Sequence, residues 1–178
     1  QGIRGRDRIS LPDDGDTVRI DVYNSKNDFK DMDNLGMFWN RSTIQAFHSI
    51  VPGSIAEFYD TIDIYRGVAS RPDTAHYALR GLTSVHWLFE YANDENWVSK
   101  SQSFESNGIT EMPGWVYFDK QNGCRIYENK YYIPMGFTYD HYLTRTAYDA
   151  LTPAQKALVT KLSVLEDSEA AFARLAEE

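Results

Sequence analysis

The chain has a single cysteine, Cys124, in 178 residues, which excludes an internal disulfide and a multi-cysteine metal site. It has no run of 18 or more apolar residues, and its N-terminal residues combine neither a basic region nor an apolar signal core. Glycine-rich phosphate loops of the forms GxGxxG and GxxxxGK[ST] are missing, as is a GxSxG nucleophile elbow. Four histidines, His48, His76, His86 and His141, are scattered without metal-ligand spacing. These absences lead us to expect neither a metal nor a cofactor. Basic residues are few, 18 against 26 acidic, and the net charge of −8 repels phosphate backbones, which argues against nucleic acid as a partner. The chain starts at Gln1-Gly2 without an initiating Met, which suits a piece cut from a longer product.

What the chain does have is aromatic residues: 12 Tyr, 9 Phe and 4 Trp, which must fill a core or line a binding surface. Its length suits one domain, 1–178, able to bury roughly two thirds of its unfolded surface without covalent staples. Residues 1–16 are expected to fray, 1–8 being polar and basic and Pro12 to Gly15 forming a turn. In 17–23 the residues Val18, Ile20 and Val22 alternate with Arg19, Asp21 and Tyr23, a strand pattern with one covered face. Residues 24–34 read as a polar loop. Ser54 and Glu57 form a capping box for a helix whose inner face carries Ile55, Phe58, Tyr59 and Ile62.

A second helix is expected from Ser70 as cap, with Pro72 and Asp73 in its first turn, Ala75, Ala78, Leu79 and Leu82 inward, and Gly81 at its end. SVHWLFEY, residues 84–91, is an apolar run of central-strand length, and 100–110 reads as loop. Residues 115–118 and 124–127 face each other as a hairpin around Asn122-Gly123. Beyond it, 124–142 reads as two extended segments broken near 128–130, with Pro134 at an edge and Gly136 at a bend. Thr152-Pro153-Ala154-Gln155 opens a helix with the stripe Ala154, Leu158, Leu162 and Leu165, and Ser168 begins a further short amphipathic stretch. The fold class that follows is α+β, a mixed sheet with a hairpin in the C-terminal half, partly covered by about three helices.

Few residues point to chemistry. His86 within SVHWLFEY reads as a core or edge histidine, and Asp73 with His76 as a helix-terminal acid beside a surface imidazole. A small hydrolase would use His48 or His76 with a nearby acid or with Cys124. A carbohydrate-binding module would instead stack sugars on Trp39, Tyr59, Trp97 or Trp115. The residues we single out for ligand contact are Trp39, His48, Tyr59, Arg71 and Trp115.

Asn129-Lys130, Pro134, Gly136-Phe137 and Tyr139-Asp140 resemble the "evyENk…lPlGFtYd" segment of the YfhO family of bacterial integral membrane proteins. Phe47-His48-Ser49 is similar to that family's "FhS/FnS" segment, and residues 79–87 to its "L…LlgVKYl" passage. Residues 151–165 resemble the helix that follows. His86-Trp87 replaces the usual basic residue plus Tyr, and Met135 the usual Leu. The resemblance implies a domain on the extracytoplasmic side of the bacterial cell membrane, within a parent similar to glycosyltransferases that use lipid-linked sugars. Its implied partners are a glycan or polyprenyl-linked sugar and the remainder of that parent, in the glycosylation of surface polymers of the lipoteichoic acid type. No catalytic residue is transferred to this chain.

Overall fold

In the computed structural model, which describes residues 9–12, 18–23, 34–62, 64–70, 72–91, 103–138, 142–156 and 158–159, the apolar run SVHWLFEY becomes the middle strand of the main sheet. This strand, β5 (Val85–Tyr91), lies parallel to β1 (Arg19–Val22), which in turn pairs parallel with the short β2 (Ser42–Thr43). On its other side β5 is antiparallel to β9 (Cys124–Asn129), which forms a hairpin with the edge strand β8 (Trp115–Gln121). The sheet is thus mixed and five-stranded, in the order β2-β1-β5-β9-β8, and the fold class is α+β as the pattern predicts. Two small ladders accompany it: β3 (Ala46–Phe47) with β4 (Ala69–Ser70), and β6 (Glu105–Ser106) with β7 (Ile109–Thr110).

Described helices are short. They are α1 (Leu35–Phe38), α2 (Gly53–Thr61), a 3-10 turn (Thr74–His76) running into α3 (Tyr77–Leu82), and α4 (Arg145–Asp149), with further helical residues at 153–156 and 158–159. α1 and α4 were not expected. The capping box at Thr152 forms as read, since Thr152 N donates to Gln155 Oε1 at 2.9 Å and Gln155 N to Thr152 Oγ1 at 3.3 Å. The one at Ser54 does not. Ser54 lies inside α2, which begins after Pro52, and the Pro52 carbonyl accepts from Ile55 N and Ala56 N. Only Tyr59 is buried on α2, while Ile55 and Phe58 stay exposed.

Asp73, not Ser70, caps the second helical region by accepting from Ala75 N at 2.9 Å, because Ser70 is taken up in β4. Gly81 lies within α3 and is buried; the chain leaves the helix at Ser84, whose φ is +60°. Ala75 lies exposed in the 3-10 turn.

The hairpin is tighter than the pattern suggests. Both strands extend until only Asn122 and Gly123 remain, with φ of 48° and 77°, the left-handed pair that matches strand twist. The same dipeptide recurs at Asn107-Gly108 with φ of 53° and 77°, and turns β6 into β7 inside the stretch read as loop. The expected second extended segment after β9 is absent from the sheet: 132–134 and 137–138 follow a turn and join no ladder, although Gly136 does bend the chain. Tyr139, Asp140, His141 and the helical stripe at Leu162 and Leu165 lie outside the described residues.

β1 has two covered faces rather than one. Ile20 and Val22 enter a cluster with Leu35, Trp39, Trp87, Phe89, Cys124 and Ile126, to which Ile9 and Leu11 also contribute, so residues 9–12 pack into the core rather than fray. Tyr23 enters a second cluster with Val85, Leu88, Phe104, Met112, Trp115 and Tyr127. A third, Tyr59, Ile64 and Leu79, holds α2 against α3.

Candidate functional site

Covering both faces of β1 forces a carboxylate into the interior. Asp21 has no exposed surface, and a buried charge persists only when paired and fully hydrogen-bonded. Its Oδ2 accepts from Arg80 Nε of α3 at 2.7 Å, and its Oδ1 from Val22 N at 2.8 Å. The rest of the guanidinium is consumed by backbone: Nη2 donates to Pro72 O at 2.8 Å, and Nη1 to Asp73 O at 3.1 Å and His76 O at 3.3 Å. Asp21 and Arg80 therefore clamp the 3-10 turn and α3 onto the sheet.

A second buried carboxylate, Glu90 on β5, is held in the same way. Its Oε1 accepts from Phe104 N at 2.7 Å and Ser103 Oγ at 3.1 Å, and its Oε2 from the Tyr127 hydroxyl at 3.1 Å. Arg125 lies 3.6 Å away. Burial raises the Tyr127 phenol, and the Glu90 charge and hydrogen bond raise it further, so this hydroxyl stays a donor. Glu111 joins Tyr23 to the 3-10 turn, accepting from the Tyr23 hydroxyl and from Thr74 Oγ1, the latter at 2.6 Å. Asn129, nearly buried, donates to Val85 O at 2.9 Å and accepts from Tyr131 N at 3.0 Å, which ties the end of β9 to the start of β5.

A further titratable cluster reaches solvent through Glu128 and Lys130, with His86 buried beneath them. His86 stacks on Tyr132 with centroids 4.2 Å apart and an interplanar angle of 8°, and its Nε2 lies 3.6 Å from Glu128 Oε1. Glu128 Oε2 accepts from Lys130 Nζ at 2.6 Å. The Lys130 hydrogen bond and charge, with His86, hold the Glu128 carboxyl below its usual range although partial burial pushes it the other way. An imidazole, a carboxylate and an ammonium thus meet beside an aromatic face, a set able to share a proton or contact a polar ligand.

The residues singled out for ligand contact do not form one surface. Trp39 is fully buried and meets Phe89 edge-on at 5.0 Å in the first cluster. Trp115 is in the second cluster against Phe104, and Tyr59 is in the third with the Arg66 guanidinium 6.0 Å from its ring centroid. Each ring fills core because the sheet and α3 cover it. His48 is half-buried beside β3, its backbone N–H bonded to Val68 O at 2.7 Å. Arg71 and Trp97 lie outside the described residues. Cys124 is 1% exposed and burial pushes its thiol up to about 12, which removes the thiolate that a nucleophile needs.

The sequence reading missed Asp21, Arg80, Glu90 and Glu111. The available signal was a lone carboxylate within an apolar strand, as in IDV and WLFEY, which requires a partner from elsewhere in the chain.

Among protein families, the model described as bacterial membrane protein YfhO matches residues 7–177. The chain belongs to the YfhO family. No curated protein and no solved structure matches it. Membership places it among bacterial membrane proteins, although among the described residues no helix is long and apolar enough to cross a membrane. The structure also gives the motifs of the resemblance a physical role. The "VKY"-like and "ENk"-like segments meet on paired strands, Trp87 opposite Glu128, and His86 Nε2 lies 3.6 Å from Glu128 Oε1. Asn129 of the same segment is the tie between β5 and β9.

Proposed function

We propose that the chain is the extracytoplasmic domain of a membrane glycosyltransferase that moves a sugar from a polyprenyl-linked donor to a cell-surface polymer of the lipoteichoic acid type. Its role is acceptor recognition or structural support beside the membrane-embedded site, and catalysis resides elsewhere in the parent. The observation that carries this reading is the match over residues 7–177, joined to the way the buried charges are used. Asp21 with Arg80, and Glu90 with Tyr127, direct their polar atoms at each other and at backbone, which is how a scaffold uses charge. Acceptor contact would fall to partly open groups such as His48, Glu128 and Lys130.

Sidedness is tested by placing a thiol at the tip of the β6–β7 hairpin. Asn107→Cys in the full-length protein should react with a membrane-impermeant maleimide in intact cells, while buried Cys124 stays silent. Labelling that appears only after permeabilisation puts the domain on the other side and ends this reading. Sugar transfer from a polyprenyl-linked donor by the 178-residue chain alone would overturn its non-catalytic role.

A further inference from the structure

The sequence contains two Asn-Gly dipeptides, Asn107-Gly108 and Asn122-Gly123, and each closes a two-residue hairpin turn in the same left-handed geometry. The pair suits that turn because both residues must take positive φ. It is also reactive, because glycine puts no side chain between the asparagine amide and the backbone nitrogen that follows it. Attack by that nitrogen requires the asparagine to leave the turn geometry, so the rate follows how often each hairpin opens.

The two hairpins differ in what opening costs. Asn122-Gly123 ends a ladder of six residue pairs between β8 and β9, and the adjoining Cys124 is buried in the first core cluster. Asn107-Gly108 is held by two pairs, Glu105 with Thr110 and Ser106 with Ile109. Asn107, Gly108 and Ile109 are exposed, whereas Asn122 and Gly123 are half-buried. Among the described residues, and apart from its chain neighbours, nothing lies within 4 Å of where a Cβ on Gly108 would stand, so a five-membered ring has room to close there. The base of this hairpin is anchored: Glu111 N donates to Phe104 O at 2.8 Å, and Phe104 N to Glu90 Oε1 at 2.7 Å. Opening is therefore confined to the tip.

We propose that Asn107 is a modification site, at which the chain deamidates through its own backbone while Asn122 keeps its amide. The Gly108 nitrogen gives up its proton and bonds to Asn107 Cγ, and the side-chain nitrogen leaves as ammonia as a succinimide closes. Water then breaks one of the two ring C–N bonds that join the Gly108 nitrogen to the carbonyls. Cleavage at Cγ gives aspartate; cleavage at the main-chain carbonyl gives isoaspartate, with the backbone rerouted through Cβ. Water is the one co-reactant and ammonia the one by-product. Either product adds negative charge to a hairpin that already carries Glu105 and is followed by Glu111. Isoaspartate also lengthens a turn of only two residues by a methylene, so β6 and β7 part at their tip. The proposal needs neither the sidedness nor the sugar chemistry assigned above.

The test incubates the folded 178-residue chain at mildly alkaline pH and follows amide loss at both positions by peptide mass mapping. An isoaspartyl methyltransferase with labelled S-adenosylmethionine reports the isoaspartate formed. Asn107 should lose its amide at least about tenfold faster than Asn122, the factor that about 1.4 kcal/mol of difference in opening free energy supplies. In urea that unfolds the chain the two rates should converge, because both dipeptides then have the same freedom. Asn107→Gly, which keeps a residue suited to the turn, should remove most of the methyl-acceptor signal. Equal rates in the folded chain, or faster loss at Asn122, overturns the proposal. So does an Asn107 amide that stays intact in the folded chain after the unfolded chain has lost it, or a methyl-acceptor signal undiminished in Asn107→Gly.

Discussion

The sheet and the crossover between β1 and β5 draw on the same aromatic-rich composition and dispose of it in different proportions. In the sheet, Trp87, Phe89, Trp115 and Tyr127 are buried, while Tyr117 and Phe118 on the edge strand β8 stay exposed. In the crossover, Phe38, Phe47, Phe58 and Tyr65 are exposed, and Trp39 and Tyr59 are the aromatics that reach a core cluster. Its elements are a four-residue helix, two-residue strands and the nine-residue α2, too short to enclose a core of their own. Aromatic content alone therefore does not distinguish core from contact surface; what packs above each ring does.

The sharpest way to break this contrast is to cut the joint between the two regions. Arg80→Ala leaves Asp21 buried and unpaired and should cost about 3–5 kcal/mol in urea denaturation, whereas Asp21→Leu with Arg80→Met should recover most of it. A loss under 1 kcal/mol from Arg80→Ala would show that the clamp is dispensable. Within the sheet, Trp87→Ala should cost about 3–5 kcal/mol from lost burial and the cavity left behind. Tyr127→Phe, which removes one hydrogen bond to a buried carboxylate, should cost about 1.5 kcal/mol by the same measurement.

The pH dependence follows from Cys124. Its folded value of about 12 lies above the ordinary 9.0, so burial of the neutral thiol stabilises fully below pH 9. As pH climbs from 9 toward about 12 the unfolded chain releases the proton first, and stability falls by about 1 kcal/mol per pH unit. Cys124→Ala should flatten that slope in part, leaving the contribution of Tyr127, which is raised in the same direction. The smallest effect belongs to the crossover: Phe38→Ala should change stability by no more than about 0.5 kcal/mol. A cost like that of Trp87→Ala would mean that Phe38 is core after all.

Much of the sheet was legible. The alternation at Ile20 and Val22, the continuous run around Trp87, and Asn122-Gly123 are local signals, since strand period and turn chemistry act over neighbouring residues. The same rule applied to Asn107-Gly108 would have found the second hairpin. Helix ends fared worse: at Ser54 because α2 already starts after Pro52, and at Ser70 because the competing pull of β4 comes from its pairing with distant β3. The intended ligand contacts failed to converge for a similar reason: Trp39, Tyr59 and Trp115 were chosen by ring type, and burial is set by what packs above the ring.

By itself the sequence determined the α+β class, the central strand, the turn of the β8–β9 hairpin, the capped start at Thr152 and, through its ordered motifs, the family. Only the tertiary structure decided that β1 is covered twice, that Asp21 must meet Arg80, that Glu90 must meet Tyr127, and that Trp39 is buried while its neighbour Phe38 is exposed. The physical reason is range. Dihedral preference and side-chain period are written into adjacent residues, while the partner of a buried charge, here 59 residues away, is fixed only when the chain closes on itself.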